Sequence, residues 1–203
     1  MSRSILAGAA CALWLAAGSA AAEPFQNFVD FCLDTNADRE AAVARAKAAG
    51  WSAMPPEMMD PDEIEFRDPA VFLSFDLATV SEKGPPENFE ILITGWGSGQ
   101  DVFDLDGVKL DACAVMSVDG DHATLAARLE ERIGFAPTDV SGNGEMGWIF
   151  SRAGRRFQSE VDLVDIEDSD LVRVARERKL YVAGVLEEDG MTGLLMGALR
   201  PSD

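Results

Sequence analysis

The stretch "SGNGEMGW", residues 141 to 148, sets Gly142, Gly144 and Gly147 at a spacing with which a glycine-rich loop can cradle a nucleotide phosphate. Such a loop follows a buried strand and opens a helix whose N-terminus holds the pyrophosphate. Here the preceding "APTDVS" is loop-like and the following "WIF" is strand-like, so all three are expected to be flexible loop glycines. The nearby "GWGSGQD" lacks the Lys and Ser/Thr of a phosphate loop, and Ser98 lacks the glycine spacing of a nucleophile elbow. No cofactor is expected.

Nucleophilic and metal chemistry are similarly constrained. His122 is the one histidine, so a zinc site of two or three imidazoles is excluded, and any Ser-His-Asp arrangement would pass through this residue. It falls in the first turn of an expected helix, where a surface role suffices. Cys32 and Cys113 have apolar neighbours such as Phe28 and Val115, whereas a reactive thiolate needs positive charge nearby. Among the acidic clusters, "DPDEIE" with Asp60 and Asp62, "DLDG" with Asp104 and Gly107, and "DGDH" with Asp119 and Gly120 all miss the ligand or glycine positions of a calcium loop. No metal is expected. Carboxylates paired for glycoside hydrolysis carry no weight in a chain with 36 acidic residues, because chance pairs are certain.

Charge excludes more than the motifs do. The formal charge is −19. If residues 1–22 leave with Arg3, Lys plus Arg falls from 17 to 16 against an unchanged 36 Asp plus Glu, giving −20. Such a field repels phosphate backbones and anionic lipid, so neither nucleic acid nor a membrane surface is expected as partner, and a cationic protein is favoured. "RAGRR" and "RVARERK" stand out against this background, with salt-bridging to surrounding carboxylates as their expected use and an anion-binding face as the alternative.

The elements that would carry these residues begin after a leader. Arg3, the apolar "ILAGAACALWLAAG" and the small residues before Glu23 have the form of a signal peptide, cut after Ala22. The apolar run breaks at Gly18 and Ser19, too soon to span a bilayer, and Cys11 lacks a lipid-attachment context, so no stable membrane anchor is expected after cleavage. Residues 23–203 then form a single exported domain of 181 residues, in which Cys32 and Cys113 are the only thiols and are expected to form a disulfide.

Within it, Phe25, Phe28, Val29 and Cys32 recur along one face of a first helix. Thr35 and Asp38 have capping-box spacing ahead of "REAAVARAKAA", which Gly50 ends and Trp51 follows as an apolar contact. Residues 52–69 are proline-rich, acidic and without periodicity, and read as a surface excursion. "AVFLSFDLATV", "NFEILITGW" and "KLDACAVMSV" read as strands, and "DHATLAARLEERIGF" as a helix with Leu125, Leu129 and Ile133 on its buried stripe. "GWIFS" and "FQSEVDLV" read as strands joined across "RAGR", "SDLVRVARERK" as a helix, and "LYVAGVL" with "GLLMGAL" as a closing hairpin. The expected fold is α+β: a largely antiparallel sheet with two N-terminal helices and one or two further packing helices.

The order of Phe28 and Cys32, Gly50-Trp51, "CAV" at Cys113, the run Leu125, Leu129, Ile133-Gly134 with Pro137, and Trp148 resembles a group of small exported proteobacterial proteins of unknown function. The resemblance spans most of residues 23–203 and implies a periplasmic protein with two cysteines. It transfers no catalytic residue.

The expected function is therefore that of a periplasmic binding or accessory protein with a cationic envelope partner; the alternative is a hydrolase whose carboxylates converge only in three dimensions. Specificity needs apolar anchors among carboxylates. The expected partner surface is the stretch where Met58, Met59, Ile64 and Phe66 are interleaved with Glu57, Asp60, Asp62, Glu63 and Glu65.

Overall fold

The computed structural model describes residues 23–59, 66–80, 84–98, 107–140, 146–164, 166 and 168–202. The expected leader, Asp60, Asp62, Glu63, Ile64, Glu65, Asp104, Gly142 and Gly144 lie outside the described residues.

Helix α1 spans Pro24–Phe28 and runs on into a π-turn over Val29–Leu33. Proline opens it at a position where a backbone N–H would have no partner. Helix α2 covers Arg39–Ala48, and its N-cap is Asp38, whose carboxylate accepts from the Ala41 N–H at 2.9 Å. The capping box read from Thr35 is thus displaced. The Thr35 hydroxyl instead donates backward to the carbonyls of Phe31 and Cys32, closing the end of the first helical segment, and Asp38 alone starts the second. At the far end the Trp51 N–H donates to Ala46 and the Gly50 N–H to Lys47, with Gly50 at φ +82°, the left-handed cap that glycine adopts without strain. The Trp51 ring meets Phe31 edge-on at 5.0 Å.

The strands are β1 Ser52–Ala53, β2 Arg67–Leu73, β3 Glu90–Ser98, β4 Val108–Ser117, β5 Thr138–Asp139, β6 Met146–Ala153, β7 Arg156–Ser159, β8 Leu180–Glu188 and β9 Met191–Pro201. They form one antiparallel sheet in the order β1-β2-β3-β4-β9-β8-β6-β5, with β7 paired to β6. The final strand inserts beside β4, joining the β1–β4 meander to the hairpins of the second half. Helices α3, His122–Ile133, and α4, Asp168–Glu177, complete the described α+β fold.

Several elements are shorter than the sequence suggests. The first reading of β2 extends to Val80, but the strand stops at Leu73 because the Asp76 carboxylate accepts from the Ala78 N–H and nucleates a 3₁₀ turn over Leu77–Thr79. Strand β7 ends at Ser159, where Val161–Leu163 forms another such turn. Conversely, Ser52–Ala53 is not an excursion but a short edge strand on β2. Gly147 is likewise a strand residue, not a flexible one. A Cβ there would stand 3.0 Å from the Ala183 carbonyl oxygen, a tight contact that glycine avoids at the close approach of β8.

Alternation along β4 sorts the two faces. Cys113 and Val115 face α1, α2 and α3 in a core that also takes Leu92, Trp148, Phe150, Leu194 and Met196. Leu110 and Ala112 face the other way, against Val174 and Ala175 of α4 with Leu180 and Leu199. This two-sided burial is why residues 112–116 of β4 form a continuous apolar run, while Lys109 and Asp111 nearer its start are only partly buried. The Cys32–Cys113 disulfide ties the first helical segment to this central strand, with Cα atoms 5.4 Å apart and both residues fully buried.

Candidate functional site

The amphipathic helix α3, packed on β8 and β9, sets the geometry of the candidate site. Asp121 caps α3 by accepting from the Thr124 N–H at 2.8 Å, and hydrogen bonding from the Thr124 side chain, then from its backbone N–H, holds the Asp121 carboxyl below the ordinary range. Leu125, Leu129 and Ile133 point into the core, so the helical repeat leaves Ala127, Glu130 and Glu131 on the solvent side. Gly134 takes φ +92° and ends the helix by donating to the Glu130 carbonyl at 2.7 Å. The chain then turns so that Phe135 lies half-buried against the main core, its carbonyl accepting from the Trp148 indole N–H at 2.8 Å.

Together Ala127, Glu130, Glu131, Gly134 and Phe135 line an open concavity of about 520 Å³. Neither Glu130 nor Glu131 has an ion pair among the described residues, whereas the adjacent Arg132 is committed to Asp34 at 3.4 Å. Two exposed carboxylates thus stand where the helix C-terminus contributes its own partial negative charge. Phe135 and Ala127 supply an apolar floor. Chemically, this suits an ammonium or guanidinium head on an aliphatic stem.

A second concavity, of about 380 Å³, is lined by Ala175, Arg176, Glu177, Arg178, Lys179, Leu199, Arg200 and Pro201, where α4 ends beside β9. Two of its four cations, Arg178 and Arg200, are committed to ion pairs. Arg178 pairs with buried Glu160 at 2.7 Å, Arg200 with Asp111, and Arg173, one turn back, with Asp170 and Glu177. Salt-bridging is therefore the use of Arg173 and Arg178 in "RVARERK". In "RAGRR", Arg152 donates to the Leu33 carbonyl and to Asn36, each at 2.7 Å, and clamps the turn between α1 and α2.

Besides Glu160, one further carboxylate is buried among the described residues. Glu90 opens β3 with 2 % exposure and accepts from the Asn27 amide at 2.6 Å, while its Oε1 has no hydrogen bond. Burial pushes its carboxyl above the ordinary 4.5, the Asn27 hydrogen bond opposes this, and the nearby Glu23 carboxylate adds to it. Glu90 lines neither concavity.

Of the expected partner surface, Glu57, Met58, Met59 and Phe66 lie among the described residues, the first three just after the edge strand β1. Glu57 is exposed, Met58 is 59 % exposed and Met59 is half-buried, whereas Phe66 packs against the α4 side of the sheet. His122 is exposed as the first residue of α3. Cys32 and Cys113 are joined and offer no thiolate. Among the described residues, no three His, Cys, Asp or Glu side chains are grouped to hold a metal ion, and no helix is long and apolar enough to cross a membrane.

The α3 groove and the Glu90 junction were not singled out from sequence, although a signal for each existed. Glu130-Glu131 is the polar edge of the most regular helix, three residues before its glycine cap. In "EILIT", Glu90 shares its alternation with Leu92 and Thr94, which puts it on the core face.

No known protein family, curated protein or solved structure matches the chain.

Proposed function

We propose that this protein is exported, cut after Ala22 and retained in the periplasm, where it acts as a binding or accessory protein for a cationic envelope partner. The observation that carries the reading is the α3 groove, in which two uncommitted carboxylates flank an apolar floor at a helix C-terminus. A chain of formal charge −19 accelerates encounter with a basic protein, and the groove supplies a defined place for one of its Lys or Arg side chains. The segment from Glu57 to Phe66 is the second proposed contact.

Capture from envelope extract at low salt tests this, with Glu130→Gln/Glu131→Gln and Phe135→Ala variants alongside the original protein. Removing two rim charges should slow association roughly tenfold and flatten its salt dependence, while Phe135→Ala should mainly speed dissociation. Amides at Glu57, Asp60, Asp62, Glu63 and Glu65, with Met58→Ala and Met59→Ala, test the second contact in the same assay. A captured basic protein that binds every variant equally would refute the groove. Turnover of a small molecule, abolished by one internal carboxylate, would replace the binding reading with a hydrolase.

A further inference from the structure

We propose that the α-ammonium created by cleavage before Glu23 docks on the buried carboxylate of Glu90, so that removal of the leader completes the polar junction between α1 and the sheet. The proposal rests on the cleavage stated above. A peptidase adds water across the Ala22–Glu23 peptide bond, leaving a carboxylate on Ala22 and an amine, protonated at neutral pH, on Glu23.

The geometry begins with an incomplete partner set. One Glu90 oxygen is held by Asn27, and the other is buried with no hydrogen bond. A carboxylate has acceptor sites on both oxygens, and leaving one desolvated and unmatched is costly. Around it, Ser117 lies directly across the β3–β4 ladder and is itself buried, while the Ser74 hydroxyl accepts from the Glu90 backbone N–H at 2.8 Å. No cation is bound to Glu90 among the described residues. The charged groups at this junction are Glu23 and, from α3, Arg128, which is committed to the Glu23 carboxylate and stacks over Phe25 at 4.2 Å.

Residue 23 is placed to supply the missing charge. The Asn27 N–H donates to the Glu23 carbonyl at 3.1 Å, so residues 23 and 27 are successive on one face of α1, a pitch of about 5.4 Å apart. Helical side chains lean toward the N-terminus, which carries the Asn27 amide, and the carboxylate it holds, toward residue 23. The Glu23 charge is near enough to act on the Glu90 carboxyl. In an uncut chain the nitrogen of residue 23 is a neutral amide; after cleavage it is a cation with three donors. The Glu23 side chain, exposed and held by Arg128, restrains the new terminus beside α3.

Two forms of residues 23–203 test the idea: one beginning at Glu23 with a free amine, released from a removable fusion, and one with a single Gly before Glu23. Near-UV circular dichroism checks that both are folded. Carboxyl ¹³C NMR, assigned with Glu90→Gln, should show Glu90 titrating lower with the free amine than with the Gly extension. The Glu23 amine should titrate above the ordinary 7.7–8.0 or so, and return to it in Glu90→Gln. Identical Glu90 titrations in the two folded forms overturn the pairing, as does an amine indifferent to Glu90→Gln. Intact mass of protein from the cell envelope tests the cleavage separately, and a native start other than Glu23 overturns the coupling whatever the titrations give. Neither result touches the α3 groove.

Discussion

Reducing the Cys32–Cys113 disulfide isolates one contribution to stability that can be worked from the structure. The bond closes a loop with a sequence separation of 81, and in the chain-entropy description that constrains the unfolded state by about 4.5 kcal/mol. Both sulfurs sit in the main core, so reduction leaves the packed volume in place, unlike truncation to Ala. With a urea m-value of roughly 2–3 kcal/mol/M, the unfolding midpoint should fall by about 1.5–2.3 M. The m-value should also rise, because the uncrosslinked chain exposes more surface when unfolded. Urea titrations followed by tryptophan fluorescence, with and without reductant, read both quantities; a Cys32→Ala/Cys113→Ala variant should be destabilised at least as much, since it adds two small voids. Coincident curves for the oxidised and reduced protein would refute the argument. A lower midpoint with an unchanged m-value would place the stabilisation in the native packing instead of in the unfolded chain.

Two other perturbations have definite directions. In protein with an extension before Glu23, Glu90 titrates higher folded than unfolded, because burial disfavours its charge. The folded state then holds more protons at Glu90, so this residue's contribution to stability is greatest below about pH 4.5 and is lost as pH rises through its folded value. Glu90→Gln keeps an acceptor for Asn27 and should remove that fall, gaining on the original protein as pH rises; thermal melts across the range check it, and parallel curves for the two proteins would contradict the assignment. Trp148→Phe removes the donor to the Phe135 carbonyl and should lower stability by about 1–3 kcal/mol in a urea titration, with the groove at Phe135 loosened. If Trp148→Phe is neutral in stability, that hydrogen bond does not hold the end of α3.

What the sequence determined by itself was local and periodic. The stripe of Leu125, Leu129 and Ile133 with a glycine behind it, and the apolar run over residues 112–116 of β4, follow from side-chain spacing that each element needs wherever it packs. The Gly50-Trp51 stop is equally local, because only a left-handed residue lets two N–H groups turn back onto the helix end. The tertiary structure decided everything that depends on residues far apart in the chain. It placed β9 between β4 and β8, a choice among strands with similar apolar patterns that rests on which faces two helical layers can cover. It made Thr35 a cap for the helix behind it instead of the one ahead. Glu90 shows the same limit most sharply: alternation assigns it to the core face, but its unmatched oxygen exists only because Asn27, 63 residues earlier, reaches one side of the carboxylate and not the other.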